Sequence, residues 1–358
     1  MSNKIKVLVV GCGNMGAPHA TSYHHSPDFE IVGLVSLGES KFRLNKKLNA
    51  DYPLFEDFYE ALEKTQPEAV CISTYPDTHA AYAIASMEAG AHVFVEKPLA
   101  DTLEEAEKVV KVAEKTKRKL VVGYILRHHP SWQQFVQEGR KLGTPLVFRM
   151  NLNQQSNGVM WNVHKNLMQS VSPIVDCGVH YVDVMCQMTD ANPLQVSAIG
   201  ARLTDEIPGN IHNYGQLQIT FDDGSVGWYE AGWGPMVSET AFFVKDVFGP
   251  KGSVSIVADN ASSSGKSDDV DSHTKTEKIK VHSSEIDENN NFIYPDRWLD
   301  MEDEPNHQEL CDREQAYFLQ AIREDLDLSK FMQDALNSLK IVLAADESMR
   351  TRKIVSLI

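Results

Sequence analysis

The sequence predicts an α/β protein in two parts: parallel strands alternating with helices over residues 1–126, then an α+β part over 127–358 built on an open, mostly antiparallel sheet. Three observations carry this. Apolar runs of strand length alternate with amphipathic helical stretches from Ile5 to Tyr124. Beyond Leu126 the alternation stops and strand patterns follow one another, two of them joined by the hairpin signal Asp222-Asp223-Gly224. The first apolar run, Ile5 to Val10, breaks into Gly11, Gly13 and Gly16 where strand gives way to helix.

That glycine spacing belongs to a dinucleotide-binding turn. Gly11 takes the tight turn, Gly13 lets the backbone approach a pyrophosphate, and Gly16 lets the helix from Met15 to about Tyr23 pack close with its amides on the anion. Gly11, Cys12, Gly13, Asn14, Met15 and Gly16 are therefore candidate cofactor ligands. Phe29 to Ser36 reads as the second strand. An acid ordinarily ends it and takes the ribose hydroxyls; here stand Ser36-Leu37-Gly38, then Glu39, with Lys41, Arg43, Lys46 and Lys47 following. Ser36 does not repel a 2′-phosphate, and the cations either pair with one or form a solvated helix face, so the cofactor is NAD or NADP.

Phe55 to Lys64 reads as a short helix and Ala69 to Thr74 as a buried strand ending in Tyr75-Pro76-Asp77-Thr78-His79. Pro76 stops that strand, and Asp77 or Thr78 caps a helix running to Ala89. Ala91 to Val95 is a strand closed by Glu96-Lys97-Pro98; Thr102 to Lys115 is a helix, and Lys119 to Tyr124 the last strand of this half. Ligands of such sheets lie beyond the strand ends. This places Thr74, Tyr75, His79, Glu96 and Lys97 beside cofactor or substrate. Lys97 either serves that cleft or pairs with Glu96.

Composition bounds the function. With 358 residues the chain can hold two cored domains, and 42% apolar with 23% charged residues suits a globular protein. A net charge of -16 argues against general affinity for nucleic acid or anionic membrane. Cys12, Cys71, Cys177, Cys186 and Cys311 are odd in number and form no close CxxC pair, which suits a reducing compartment. The start of the chain shows no basic stretch followed by a long apolar run and cleavage site, and no apolar run spans a bilayer, so a cytoplasmic location is expected.

In the second half, Arg127-His128-His129-Pro130 leads into a helix ending near Gly139. Leu146 to Asn153, Pro193 to Leu203, Tyr214 to Phe221, Ser225 to Ala231 and Phe242 to Val247 read as strands. Asn260 to Thr276, rich in Ser, Asp and Lys, reads as a mobile loop or hairpin tip, and Glu309 to Ile322 and Phe331 to about Ala345 as amphipathic helices. Pro173 fits a helix start, which puts Asp176 and His180 four apart on one face and Asp183 a turn beyond. A histidine beside a carboxylate suits proton transfer; a helix-capping or core network is the alternative.

The chain resembles the glucose-fructose oxidoreductase, inositol dehydrogenase and rhizopine-catabolism family of NAD(P)-dependent oxidoreductases. The resemblance rests on Gly11 to Gly16, on Glu96-Lys97-Pro98, and on Asp176-x-Gly178-x-His180-x-x-Asp183, in that order, with Arg127-His128-His129-Pro130 similar to the family's arginine-containing segment. It covers essentially the whole length. It implies a Rossmann domain followed by an α+β domain whose sheet mediates oligomers, and a polyol or carbonyl substrate, usually a sugar, cyclitol or derivative. On that resemblance Lys97, Asp176 and His180 are catalytic: Lys97 orients hydroxyls and polarises the reacting oxygen, Asp176 positions substrate, and His180 is the acid/base. Arg127 joins them as a substrate contact; Trp161, His164 and Lys165, shortly upstream, line the substrate pocket or, for the tryptophan equally, pack the core, with Asn153 and Gln155 weaker candidates. Ser170-Val171-Ser172-Pro173 departs from the glycines many members carry there, and Ser36 from a strict NAD site.

Two other functions fit the same residues: elimination or glycoside cleavage through transient oxidation, and a nucleotide sensor without turnover. A metal enzyme using Asp176, His180 and a cysteine is a third. No metal is assigned, since Cys177 points off the helical face. Trp228, Trp233 and Phe242 on an open sheet predict burial against another subunit in a homo-dimer or homo-tetramer.

Overall fold

The computed structural model describes residues 4–237, 244–257, 274 and 276–358. It divides into unit 1, residues 1–125 and 306–336, and unit 2, residues 126–305 and 337–358. The expected change of architecture near Leu126 is present. The chain then crosses back, because the amphipathic helix after residue 305 belongs with unit 1, a partnership that periodicity alone does not specify.

Unit 1 runs β1 (Ile5–Val10), α1 (Gly16–His25), β2 (Phe29–Val35), α2 (Ser40–Leu48), β3 (Leu54–Phe55), α3 (Phe58–Thr65), β4 (Ala69–Ile72), α4 (Pro76–Glu88), β5 (His92–Val95), α5 (Leu103–Thr116) and β6 (Leu120–Val122). These strands form a six-stranded parallel sheet in the order β3-β2-β1-β4-β5-β6. Strand order reverses beside β1, which opens a crevice at its C-terminal end. Val7 to Val10, Ala69 to Ile72 and Val93 to Val95 are buried on both faces, so the strands read as unbroken apolar runs. Each such Val, Leu or Ile contributes roughly 1.5–3 kcal/mol on leaving water.

Register is what positions the site. Val10 pairs with Val35 and Ile72, Ile72 with Val95, and Val95 with Val122. The next residue of each strand therefore falls in one row along the sheet edge: Gly11, Ser36, Ser73, Glu96 and Gly123. Backbone bonds extend the ladder into that row, with Gly11 N–H donating to Val35 (2.8 Å), Ser73 to Val10 (2.7 Å), Glu96 to Ile72 (2.8 Å) and Gly123 to Val95 (2.8 Å). The expected helix over Phe55 to Lys64 is divided: Leu54–Phe55 is β3, and Asp57 caps α3 by accepting from the Glu60 amide. α10 (His307–Arg323) opens on a capping box, Asn306 with Glu309, and lies on α1, where Ser22 Oγ donates to Asp312 Oδ1 at 2.6 Å.

Unit 2 begins with a 3₁₀ turn over Ile125–His128 and α6 (Pro130–Arg140), then β7 (Val147–Gln155), α7 (Gly158–Leu167), α8 (Pro173–Asp176) and α9 (Gly178–Thr189). β8 (Pro193–Ala201), β9 (Tyr214–Phe221), β10 (Val226–Gly234), β11 (Lys245–Gly249), β12 (Gly252–Val257), β13 (Lys278–Ser283) and β14 (Arg297–Asp300) follow. α11 (Ser329–Thr351) and β15 (Val355–Ser356) end the chain. The sheet is nine-stranded, β14-β13-β12-β11-β7-β10-β9-β8-β15, and antiparallel at every junction except β7 with β10. Phe148, Leu217, Ile219, Tyr229 and Ala231 are buried on one face, under helices that include α8 and α9.

Two expectations change here. Trp233 is buried on the helix-covered face, and alternation sends the half-buried Trp228 to the other face, where Arg149 and Gln218 flank it and Glu230 lies between Asn151 and Gln216. The open face is thus mixed: register sets Trp228 and Trp298 in one cross-strand row, and Val147, Val226 and Ile199 are exposed there among polar side chains. Most of the loop expected over Asn260 to Thr276, and Phe242, lie outside the described residues.

Candidate active site

The nucleotide edge of unit 1 is built from glycines that leave room. Gly11, at φ 93°, has Ser73 O where a Cβ would sit, at 2.2 Å, and a Cβ on Gly16 would meet Gly11 O at 1.9 Å, so strand, turn and helix touch backbone to backbone. A Cβ on Gly13 would meet nothing within 4 Å: the space above it is open. Asn14 and Met15 are exposed beside it, and no side chain caps α1 at Met15. An open glycine at an uncapped helix N-terminus fits a pyrophosphate. Cys12 is buried, its thiol pushed up to about 12 by burial, and it directs Sγ to Val35 O at 3.6 Å.

The loops on either side complete this edge. Ser36 Oγ lies 2.5 Å from Ser40 Oγ. Lys41 leaves the solvated face: it is buried, with Nζ 2.9 Å from Ser36 O, 2.8 Å from Gly38 O and 3.3 Å from Glu56 Oε1. Leu37 and Tyr75 are exposed, and Thr74 shares a 2.6 Å hydroxyl contact with Thr78. His79 is wholly buried, with Nδ1 2.7 Å from Pro98 O and Nε2 3.1 Å from Thr74 O. Burial, its main influence, pulls its pKa down, and the neutral ring has one N–H to donate to one of these two carbonyls. The Lys97–Pro98 bond is cis, Lys97 is half-buried, and its N–H donates to Glu96 Oε2 at 3.2 Å.

Unit 2 gathers a second group on the helix-covered face. Ser172 accepts the Val175 amide at 3.2 Å and Pro173 opens α8, so the Ser-Pro departure makes a helix start. The single helix expected from Pro173 onward is two, α8 and α9, joined at Cys177; its backbone remains right-handed, and His180 N–H reaches only to Cys177 O at 3.3 Å. Asp176 and His180 are half-buried near this joint. A Cβ on Gly178 would lie 3.0 Å from Tyr229 Cε1, so the glycine sets how closely α9 meets β10. Tyr229 is fully buried and stacks on Tyr181 at 5.2 Å.

Asp183 is not part of a shared acid/base face. It is buried and takes Arg127 bidentately, at 2.8 Å from Nε and 2.6 Å from NH2, while Gln187 donates to it at 2.9 Å. Arg127 thereby ties the entry turn of unit 2 to α9. His164 is buried and stacked on Trp233 at 4.4 Å, and Trp161 is buried beneath Lys165. Asn153 Nδ2 donates to Glu230 at 2.7 Å and Gln155 Nε2 to Val237 O at 2.9 Å. The residue between them, Gln154, was missed by sequence reasoning: its Oε1 accepts from Trp233 Nε1 at 2.7 Å and from the Cys177 thiol at 3.2 Å. Strand alternation was the available signal, since it turns Gln154 to the face opposite Asn153 and Gln155. Among the described residues, the metal-type donors that converge are His19, Cys311 and Glu314 in unit 1, not Asp176 and His180.

Fold and site define an NAD(P)-binding oxidoreductase. Residues 5–124 match the family model "Oxidoreductase family, NAD-binding Rossmann fold", and residues 132–255 match "GFO/IDH/MocA C-terminal domain". The chain belongs to the GFO/IDH/MocA family and binds a nicotinamide dinucleotide. Inositol 2-dehydrogenase of Rubrobacter xylanophilus is 26% identical over 265 residues, 71% of this chain and 72% of that one. Scyllo-inositol dehydrogenase of Lactobacillus casei, solved with bound NAD(H) and scyllo-inositol, superposes with TM-score 0.76 at 21% identity, covering 99% of each chain. UDP-N-acetylglucosamine 3-dehydrogenase of Acidithiobacillus ferrooxidans gives TM-score 0.75 at 20% identity over 98% of this chain and 99% of that one. At those identities the two structures speak to fold.

Proposed function

We propose that this protein is an NAD(P)-dependent dehydrogenase or reductase acting on a CH–OH carbon of a sugar, cyclitol or derivative, with Lys97, Asp176 and His180 as its catalytic residues. The observation that carries the reading is the open Gly13 turn on the same sheet edge that bears Lys97. The substrates named for the inositol and UDP-sugar dehydrogenases it resembles support the substrate class.

A nicotinamide dinucleotide held on the Gly11–Gly16 turn would supply the hydride acceptor or donor. His180 takes the substrate hydroxyl proton as the hydride leaves its carbon, and gives it back in reduction. The Lys97 ammonium stabilises the negative charge developing on that oxygen. Asp176 accepts a neighbouring substrate hydroxyl and fixes which carbon reacts. Arg127, paired with Asp183, holds α9 and with it His180 in place. The open face of the unit 2 sheet, with Trp228 and Trp298 in one row, is the surface against which a second copy packs.

The test is nucleotide reduction, followed spectrophotometrically with NAD and NADP separately against a panel of sugars, cyclitols and amino-sugar derivatives. A saturable signal is expected, with kcat/KM lowered by ~10²–10⁴ in both Lys97→Met and His180→Ala. Near-normal turnover in both variants removes these roles. Silence with every polyol, with a glycoside cleaved and no net nucleotide change, replaces simple dehydrogenation by transient oxidation.

A further inference from the structure

We propose that His19 and Gln315 are positioning residues for Lys97, acting through Glu96. The inference rests on the proposed role of Lys97, but its geometry lies wholly within unit 1. Four side chains form a directed chain of hydrogen bonds. Tyr23 donates its hydroxyl to Gln315 Oε1, and Gln315 Nε2 stands 2.9 Å from His19 Nδ1. His19 Nε2 stands 2.7 Å from Glu96 Oε1, and Glu96 Oε2 accepts the Lys97 backbone N–H at 3.2 Å. Exposures of 1%, 3%, 0% and 6% for Tyr23, Gln315, His19 and Glu96 leave water little part in it.

The polarity follows from the donors available. An amide nitrogen only donates, so with Oε1 turned to Tyr23, Gln315 gives a proton to His19 Nδ1. A neutral imidazole then carries its own proton on Nε2 and gives it to Glu96. The carboxylate is held on its far side as well: a Cβ on Gly123 would lie 3.1 Å from Glu96 Oε2 and 3.2 Å from Cδ, so the carboxylate rests against the glycine backbone. His79 braces the next residue through Pro98 O. The backbone on both sides of Lys97 is thus tied to a buried ring.

A buried polar chain is a poor way merely to hold α1 against α10, because apolar side chains of similar volume do so without desolvation cost. What the chain adds is a fixed origin for a long flexible side chain. Lysine carries its charge on a four-carbon stem, and a misplacement of about 1 Å at a reacting group can cost on the order of a hundredfold in rate. Cys311 and Glu314 place donor atoms within 4.8 Å of those of His19, but both ring nitrogens are already engaged, so a metal there would break the chain.

The experiment reads Lys97 directly, without substrate. Lysines of the full-length protein are reductively ¹³C-methylated, the Lys97 resonance is assigned by its loss in Lys97→Arg, and its shift and titration are followed by NMR in saturating NADH. His19→Leu removes the donor to Glu96, Gly123→Ala pushes the carboxylate while leaving His19 intact, and His19→Gln restores a donor near the Nε2 position. The expected result is a displaced resonance with an altered titration midpoint in His19→Leu and Gly123→Ala, and a return towards wild type in His19→Gln. With a substrate in hand, kcat falls at least tenfold in the first two while nucleotide KM stays within threefold. An unchanged Lys97 signal in folded Gly123→Ala overturns the proposal, and that variant decides alone if His19→Leu does not fold. Absence of turnover in the wild type would count against the dehydrogenase reading and leave this comparison intact.

Discussion

We propose that Ser36 and Lys41 set how unit 1 meets charge at the cofactor's ribose. A carboxylate at the end of β2 would repel a 2′-phosphate, whereas Ser36 brings a hydroxyl and Lys41 holds a buried ammonium against the carbonyls of Ser36 and Gly38. Ser36→Asp is expected to lower kcat/KM with NADP by about tenfold or more, equivalent to ~1.4 kcal/mol, while changing that with NAD less than threefold. Equal losses with both nucleotides would remove Ser36 from discrimination. Glu314 has a different consequence. Burial, aided by the charge of Glu96, raises its pKa well above the ordinary carboxylate value, and its Oε1 has no hydrogen-bond partner among the described residues. The folded state keeps a proton that the unfolded chain releases near pH 4.5, so the associated stability is full below that pH and is lost as pH rises towards the folded value. Glu314→Gln removes that dependence. Urea unfolding across pH 5 to 8 should show stability falling less steeply with rising pH than in the wild type; parallel slopes would show that Glu314 is ionised.

At the scale of elements, unit 2 is pinned where the 3₁₀ turn at Ile125–His128 meets α9. The pair is Arg127 with Asp183, the carboxylate at 1% exposure. Removing one partner of a buried ion pair leaves the other desolvated and uncompensated. Arg127→Met is expected to cost about 3–5 kcal/mol in denaturant unfolding, and Arg127→Met with Asp183→Leu to cost less than the single change. If the double variant is the weaker of the two, the pair is not acting as a buried charge couple. The same packing explains the break between α8 and α9: Cys177 takes Gln154, Gly178 lets α9 lie against Tyr229, and no residue with a Cβ fits there without moving a ring already stacked on Tyr181.

At the scale of the molecule, the prediction concerns assembly. If a second copy covers the open face of the nine-stranded sheet, sedimentation at micromolar concentration gives a dimer or larger species, and Trp228→Glu shifts it towards monomer. A wild-type monomer would end that proposal. Among the described residues, no helix is long and apolar enough to cross a membrane, and all of the cysteines are buried. Several parts of this architecture were legible beforehand. The glycine turn, the Glu96-Lys97-Pro98 loop and the alternation to Tyr124 were readable because each is a local pattern with one geometric solution. β13, β14 and β15 were not, because such short strands, the last two at the sheet edges, carry little periodicity of their own.

Sequence by itself determined the parallel sheet, its nucleotide edge and the order of the candidate residues, since strand burial, glycine conformation and helix capping act over a few neighbours. Only the tertiary structure decided which helix returned to unit 1, that Lys41 turned inward, that Asp183 served Arg127, and that His19 joined Gln315 to Glu96. Each of these is a buried polar partnership, between α1 and α10 across 296 residues in the case of His19 with Gln315. Burial forces every such group to find a partner, while separation along the chain leaves no local pattern to say which.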